Sequence, residues 1–135
     1  AAVMAKRQMP DRDVVCVAGD GHIMMTVQEL STAVQFDIPL ILLVIDNSMF
    51  GTIRMHQERE FPGRVSATAL KNPDFAAMAR SFGAHGDTVE DSADFAAAFE
   101  RARASGKPAL IHCHLDPEAL TIAKTLSEIR AEARK

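Results

Sequence analysis

Two short apolar runs without polar alternation constrain this chain most: "DVVCVAG" at 13–19 and "PLILLVIDN" at 39–47. A strand with one wet face alternates, whereas an unbroken apolar run suits a strand covered on both faces, as in a parallel sheet. Each run stops abruptly on polar residues, the first at Gly19-Asp20-Gly21 and the second at Asp46-Asn47-Ser48. Between them, "HIMMTVQELSTAVQF" (22–36) sets Ile23, Val27, Leu30 and Val34 at helical spacing. Strand, helix and strand in quick succession form one crossover unit.

The pattern continues to the end of the chain. "AAVMAKRQM" reads as the end of a helix already under way, so the chain, 1–135, is expected to be a fragment of a larger multidomain protein. The stretch 48–70, "SMFGTIRMHQEREFPGRVSATAL", has no long period and predicts an extended loop with one helical turn. Asn72 and Pro73 are expected to cap and open a helix over "PDFAAMARSF", ended by Gly83. "AHGDTVE" (84–90) predicts a weaker strand, Ser92 to Gly106 an amphipathic helix, and "PALIHCHL" (108–115) a fourth strand. "TLSEIRAEARK" closes the chain as a charged helix. The expected class is α/β: a mainly parallel sheet with helices on both faces, incomplete at its N-terminus. Ligands of such folds bind beyond the carboxyl ends of the strands.

Composition narrows the function. A net charge of -3 and the absence of Trp and Tyr offer neither a basic patch nor a stacking platform, so no nucleic acid is expected. The longest apolar run, "IPLILLVI" (38–45), is too short to span a bilayer, and no membrane partner is expected. Cys16 and Cys113 fit neither a disulfide framework nor a zinc spacing, which points to a reducing, cytoplasmic setting.

At the carboxyl edge two polar ends can coincide. If the first two strands are neighbours, their axes are roughly 4.8 Å apart, and Asp20 and Asn47 could converge on one cation. A carboxylate and an amide oxygen are hard ligands, suited to Mg²⁺ or Ca²⁺. Gly21 allows close backbone approach, and the N–H groups of Gly21, His22 and Ile23 offer an anion site for a phosphate bridged to the metal. Gly-Asp-Gly alone is equally an ordinary tight turn. An EF-hand lacks its other acids, a Walker A lacks its Gly-Lys-Ser/Thr, and a dinucleotide fingerprint lacks its third glycine.

"GDGHIMMTVQELSTAVQFDIPLILLVIDNSMFG" resembles the thiamine diphosphate motif of the acetolactate synthase-like enzymes: Gly-Asp-Gly, a spacer of this length, then Asn. "QELSTAV", the "FG" after the Asn, and "NPDFAAMARSFGAHG" extend the resemblance over nearly the whole chain. The resemblance implies a C-terminal diphosphate-binding domain, with Mg²⁺ held by Asp20, Asn47 and the backbone carbonyl of Met49. The diphosphate is then expected against Gly19, Asp20, Gly21, His22 and Ile23, and against Asn47, Met49, Phe50 and Gly51. It implies a 2-oxo acid decarboxylase or carboligase, completed by the pyrimidine-binding domain of a partner subunit in a homo-oligomer. No residue here is nominated as acid, base or nucleophile, and the chain on its own is expected to be inactive. Two departures stand out: Asp46 where the family often has Asn, and His22 where it often has a small residue. The competing readings are a non-catalytic regulatory or interaction module of the same fold, and a flavodoxin-like phosphate-binding or receiver domain.

The remaining candidate residues take structural readings. His112 and His114 share one strand face with Cys113 on the other; a metal pair is conceivable, but no third ligand has a matching spacing, and they read as strand-end packing. Cys16 and Cys113 read as small core residues. Met24 and Met25 read as helix packing, with the cofactor's border as the alternative. Arg54, His56, Arg59 and Arg64 read as loop surface, with a role in substrate access or domain contact as the alternative, and "EIRAEARK" reads as a solvated helix face.

Overall fold

A computed structural model of the protein describes residues 1–134. The chain divides into two compact units, one built from Ala1–Asp46 with Asn72–His114, the other from Asn47–Lys71 with the described residues from Leu115 onward.

The first unit is a four-stranded parallel sheet of β1 (Val15–Gly19), β2 (Ile41–Asp46), β3 (His85–Val89) and β4 (Ala109–His114). The strand order is β1-β2-β4-β3. All four expected strands are present within two residues of their expected ends. One face buries Leu42, Val44 and Leu110 with Phe75, Ala79, Ile23 and Leu30. The other buries Ile41, Ala109, Ile111, Cys113 and Val89 with Ala98 and Ala102 of α6 (Phe95–Ala104). Helices thus cover both faces, but unevenly. α6 packs on β3 and β4, while β1 leaves Val15 exposed and Val17 at 65% exposure. The expectation that the first apolar run is covered on both faces fails there.

Three local expectations also change. The helix expected over 22–36 splits into a single turn, α2 (Asp20–Ile23), and α3 (Glu29–Gln35). Between them the N–H groups of Met25, Thr26 and Glu29 reach back three residues, so this stretch winds tighter than an α-helix. The apolar stripe survives: Ile23 and Leu30 are buried and Val27 and Val34 pack beside them. Met24 and Met25 are exposed and do not serve as helix packing. The cap of α5 (Phe75–Ser81) is Asp74, which accepts from the Ala77 N–H at 2.8 Å, and Asn72 is released for another task. Gly86 explains how closely α5 approaches β3: a Cβ there would sit 2.1 Å from the Ala76 carbonyl oxygen. α1 (Ala2–Gln8) completes the unit, and its Lys6 Nζ donates to the carbonyls of Pro10 and Arg12.

The second unit overturns the loop expectation for 48–70. Gly51–Glu60 is a ten-residue helix, α4, which packs with α7 (Leu126–Ala133). Its buried positions are Arg54 and Glu58, four residues apart on one face. An apolar period cannot reveal a helix whose inward side is charged. Arg54 Nε donates to Thr68 Oγ1 at 2.6 Å, so Arg54 is not loop surface. Arg130 Nε and Nη2 each donate to Glu58 at 2.8 Å, a two-pronged pair reaching across 72 residues of sequence. The terminal helix is therefore not merely a solvated face.

Candidate functional site

β1 and β2 pair in register, Gly19 opposite Ile45, so both chains leave the sheet at the same level. Asp20 follows at the end of β1 and Asp46 closes β2, each buried at 3% exposure. Burying two carboxylates side by side requires compensation. Asn72 supplies it: its Nδ2 donates to Asp20 Oδ2 at 2.7 Å and to Asp46 Oδ1 at 2.8 Å. One neutral amide bridges two acids. The remaining Asp20 oxygen accepts from the Gly21 N–H at 2.9 Å.

Asp46 Oδ2 stands 2.8 Å from His112 Nε2 on β4. That contact follows from the sheet register, Val44 opposite His112 and Asp46 opposite His114, which puts all four side chains on one face. Phe75 meets the His112 ring edge-on at 5.0 Å between centroids. His114 stacks at a tilt on His112, 4.1 Å between centroids, and its exposed Nε2 is 3.7 Å from Glu90 Oε1. The histidine pair is more than strand-end packing: His112 is a buried partner of an acid. On the opposite face Cys113 is buried, which pushes its thiol pKa up and leaves it inert. Cys16 is half-buried and also free, in line with its reading as a core residue.

The residues nominated from sequence fall in both units. In the first, Gly19, Asp20, Gly21, His22 and Ile23 are consecutive at the end of β1 and in α2. Ile23 has its side chain in the apolar core, so only its backbone can face a ligand. His22 is exposed. With four residues, α2 offers N–H groups but little helix dipole, which weakens that half of the anion-site argument.

In the second unit, Asn47 begins the segment that leads into α4. Its Oδ1 accepts from the Met49 N–H at 3.3 Å. Ser48 adopts the left-handed region at φ 55°, and the segment is fastened to 68–70. Phe50 N–H donates to the Thr68 carbonyl, Leu70 N–H to the Ser48 carbonyl, and Met49 bridges to Ala69. Gly51 leaves room for Asn47: a Cβ there would stand 2.8 Å from Asn47 Nδ2 and 3.0 Å from Leu120.

Sequence reasoning missed Asn72, because Asn-Pro before a helix looks like a cap. It missed the Asp46–His112 contact because strand order is invisible in a linear pattern.

Residues 1–113 match the profile of the thiamine pyrophosphate enzymes, C-terminal TPP-binding domain. The acetolactate synthase isozyme 2 large subunit of Escherichia coli (strain K12) is 39% identical over 117 residues, covering 86% of this chain and 21% of that protein. The acetolactate synthase large subunit of Parasynechococcus marenigrum (strain WH8102) is 40% identical over 121 residues, covering 85% and 19%. Among solved structures, the thiamine diphosphate-dependent 4-hydroxybenzoylformate decarboxylase of Rhodococcus jostii RHA1 superposes with a TM-score of 0.78. It is 30% identical over 85% of this chain and 22% of that one. The benzoylformate decarboxylase of Polynucleobacter necessarius gives 0.76 at 26% identity, covering 87% and 22%. The chain spans about a fifth of the length of these relatives.

Proposed function

This chain belongs to the thiamine pyrophosphate enzymes, as their C-terminal TPP-binding domain in the acetolactate synthase-like group, and from that premise we propose that it holds the cofactor's diphosphate through Mg²⁺. The proposed metal ligands are the Asp20 carboxylate, the Asn47 amide oxygen and the Met49 carbonyl. This donor set fits the ion, because a carboxylate, an amide oxygen and a carbonyl are the hard oxygen ligands that Mg²⁺ takes. Gly19, Gly21, His22, Ile23, Phe50 and Gly51 are proposed to line the diphosphate with backbone.

The observation that carries the reading is the in-register pairing of β1 with β2, which brings Asp20 to the level at which β2 ends and the chain continues into Asn47. Two local features support it. Asp20 is a buried acid with both oxygens already oriented by donors, and Gly51 is the residue whose lack of a Cβ leaves Asn47 its place.

Thiamine diphosphate, when bound, supplies the carbanion chemistry by which 2-oxo acids lose carbon dioxide. This chain's own residues anchor and orient it. The proposed parent is a cytoplasmic 2-oxo acid decarboxylase or carboligase, acting as a homo-oligomer with the pyrimidine-binding domain of a partner subunit completing the site.

Calorimetric titration of the enzyme carrying this chain with thiamine diphosphate tests the reading. With Mg²⁺ present, Asp20→Ala is expected to weaken cofactor binding more than about tenfold, the lower end of what losing even a group that only orients a metal ligand costs. Circular dichroism melts control for folding, because Asp20 is buried and its removal leaves Asn72 with one acceptor fewer. Unchanged cofactor affinity in a folded variant returns Asp20 to a plain turn.

A further inference from the structure

We propose that Asp46, His112 and His114 form a separate metal site, for a borderline divalent cation such as Zn²⁺ or Co²⁺, at the carboxyl ends of β2 and β4. The three residues each offer one ligand atom, and these atoms all stand within 4.8 Å of one another. Tetrahedral zinc with bonds of 2.0–2.1 Å needs ligand atoms about 3.3 Å apart. Metal binding here therefore requires the Asp46–His112 contact, 2.8 Å without the ion, to open and the His114 ring to move inward.

The frame for such a site is rigid. Asp46 and His112 sit on adjacent, paired strands, and His114 follows two residues on, on the same face. Asn72 holds the second Asp46 oxygen, and Phe75 fixes the His112 ring edge-on. These are the outer contacts that orient metal ligands. Three protein ligands leave a fourth place for water, or for Glu90, whose Oε1 is 3.7 Å from His114 Nε2.

Chemistry separates this site from the proposed magnesium position. Two imidazole nitrogens and one carboxylate favour Zn²⁺, Co²⁺ or Ni²⁺ over Mg²⁺, which demands oxygen. The two proposals share no ligand, although Asn72 touches an acid of each.

Co²⁺ is the probe, because low coordination gives it a strong visible absorption band. The untagged full chain, stripped of metal, is titrated with Co²⁺ alone. One equivalent is expected to raise a saturable band that Zn²⁺ abolishes and a large excess of Mg²⁺ leaves in place. His114→Gln, at an exposed side chain, is expected to weaken Co²⁺ binding more than about 100-fold, beyond the cost of losing an outer contact. His56→Gln on α4 is expected to change nothing. Absence of a saturable band, its survival in His114→Gln, its loss in His56→Gln, or its displacement by Mg²⁺ overturns the proposal.

Discussion

The two units solve the burial problem by opposite means. The first covers a parallel sheet with apolar side chains, and the residues fully enclosed in it include Phe75, Leu110, Ile111 and Val44. The second joins α4 to α7 through a charged pair, Glu58 with Arg130, and ties Arg54 and Gln57 to Thr68 and Ser66. Apolar burial is non-directional and tolerates drift in sequence if volume is kept. A two-pronged ion pair demands two particular residues at two particular places. The first device announces itself as a pattern. The second does not.

Truncating the apolar centre should have the largest effect. Phe75 is fully enclosed and packs against both the sheet core and the His112 ring. Phe75→Ala is expected to cost about 3–5 kcal/mol, the sum of lost transfer energy and a residual cavity. Chemical denaturation of the variant and the wild type measures it. A loss below about 1 kcal/mol would break the contrast, because the first unit would then not depend on its apolar core.

The same contrast explains what was legible in the sequence. Four strands, the α6 helix and the ends of α5 and α6 at Gly83 and Gly106 follow from apolar period and turn residues. α4 was illegible because Arg54 and Glu58 are its buried residues, and a search for apolar spacing passes over them. Val15 and Val17 misled in the other direction: their β-branched run suits a covered strand, but both side chains are exposed. At the candidate site, Asp20 and Asn47 were visible as strand ends. Asn72 was not, because a side chain that bridges two acids across 26 and 52 residues leaves no local signature. His112 found its partner only once β4 was known to pair with β2.

Removing the charge at Glu58 should have a middling effect and sharpen the comparison. Hydrogen bonds from the Arg130 guanidinium hold the Glu58 carboxyl at a pKa of about 2, well below its ordinary 4.5, and the Gly63 N–H adds to this. The folded state therefore favours the charged form, and its contribution is complete above pH 4.5. It fades as pH falls from there toward 2, where the folded carboxyl also takes up its proton. Glu58→Gln is expected to cost about 2–3 kcal/mol near neutral pH, since hydrogen bonds to charged groups are the strong ones. The variant should also lose that part of the acid sensitivity. Hydrogen exchange locates the effect: amides of α4 and α7 should exchange faster, while those of β4 keep their protection. Equal acceleration in β4 would show that the two units do not differ as described.

The smallest expected effect concerns how α7 is started. Thr125 Oγ1 accepts from the Glu128 N–H at 3.2 Å, while Glu128 Oε2 accepts from the Thr125 N–H at 2.7 Å, a reciprocal capping box. Each side chain satisfies a backbone donor that the first turn otherwise leaves to water. α7 has only eight residues, which is marginal for a helix without packing. Leu126 and Ile129 bury its apolar side, and Arg130 reaches Glu58 from the next position. The box therefore acts on a helix that is already anchored, and Thr125→Ala is expected to cost about 1 kcal/mol. Combined with Glu58→Gln, however, the cap should matter more. Once the ion pair is gone, the register of Arg130 no longer holds the helix, and fraying from Thr125 meets less resistance. A double-mutant cycle by denaturation should then show a coupling of about 0.5 kcal/mol or more between Thr125 and Glu58. Strict additivity would mean that the apolar residues Leu126 and Ile129 alone hold α7, and that the second unit depends little on its polar pair.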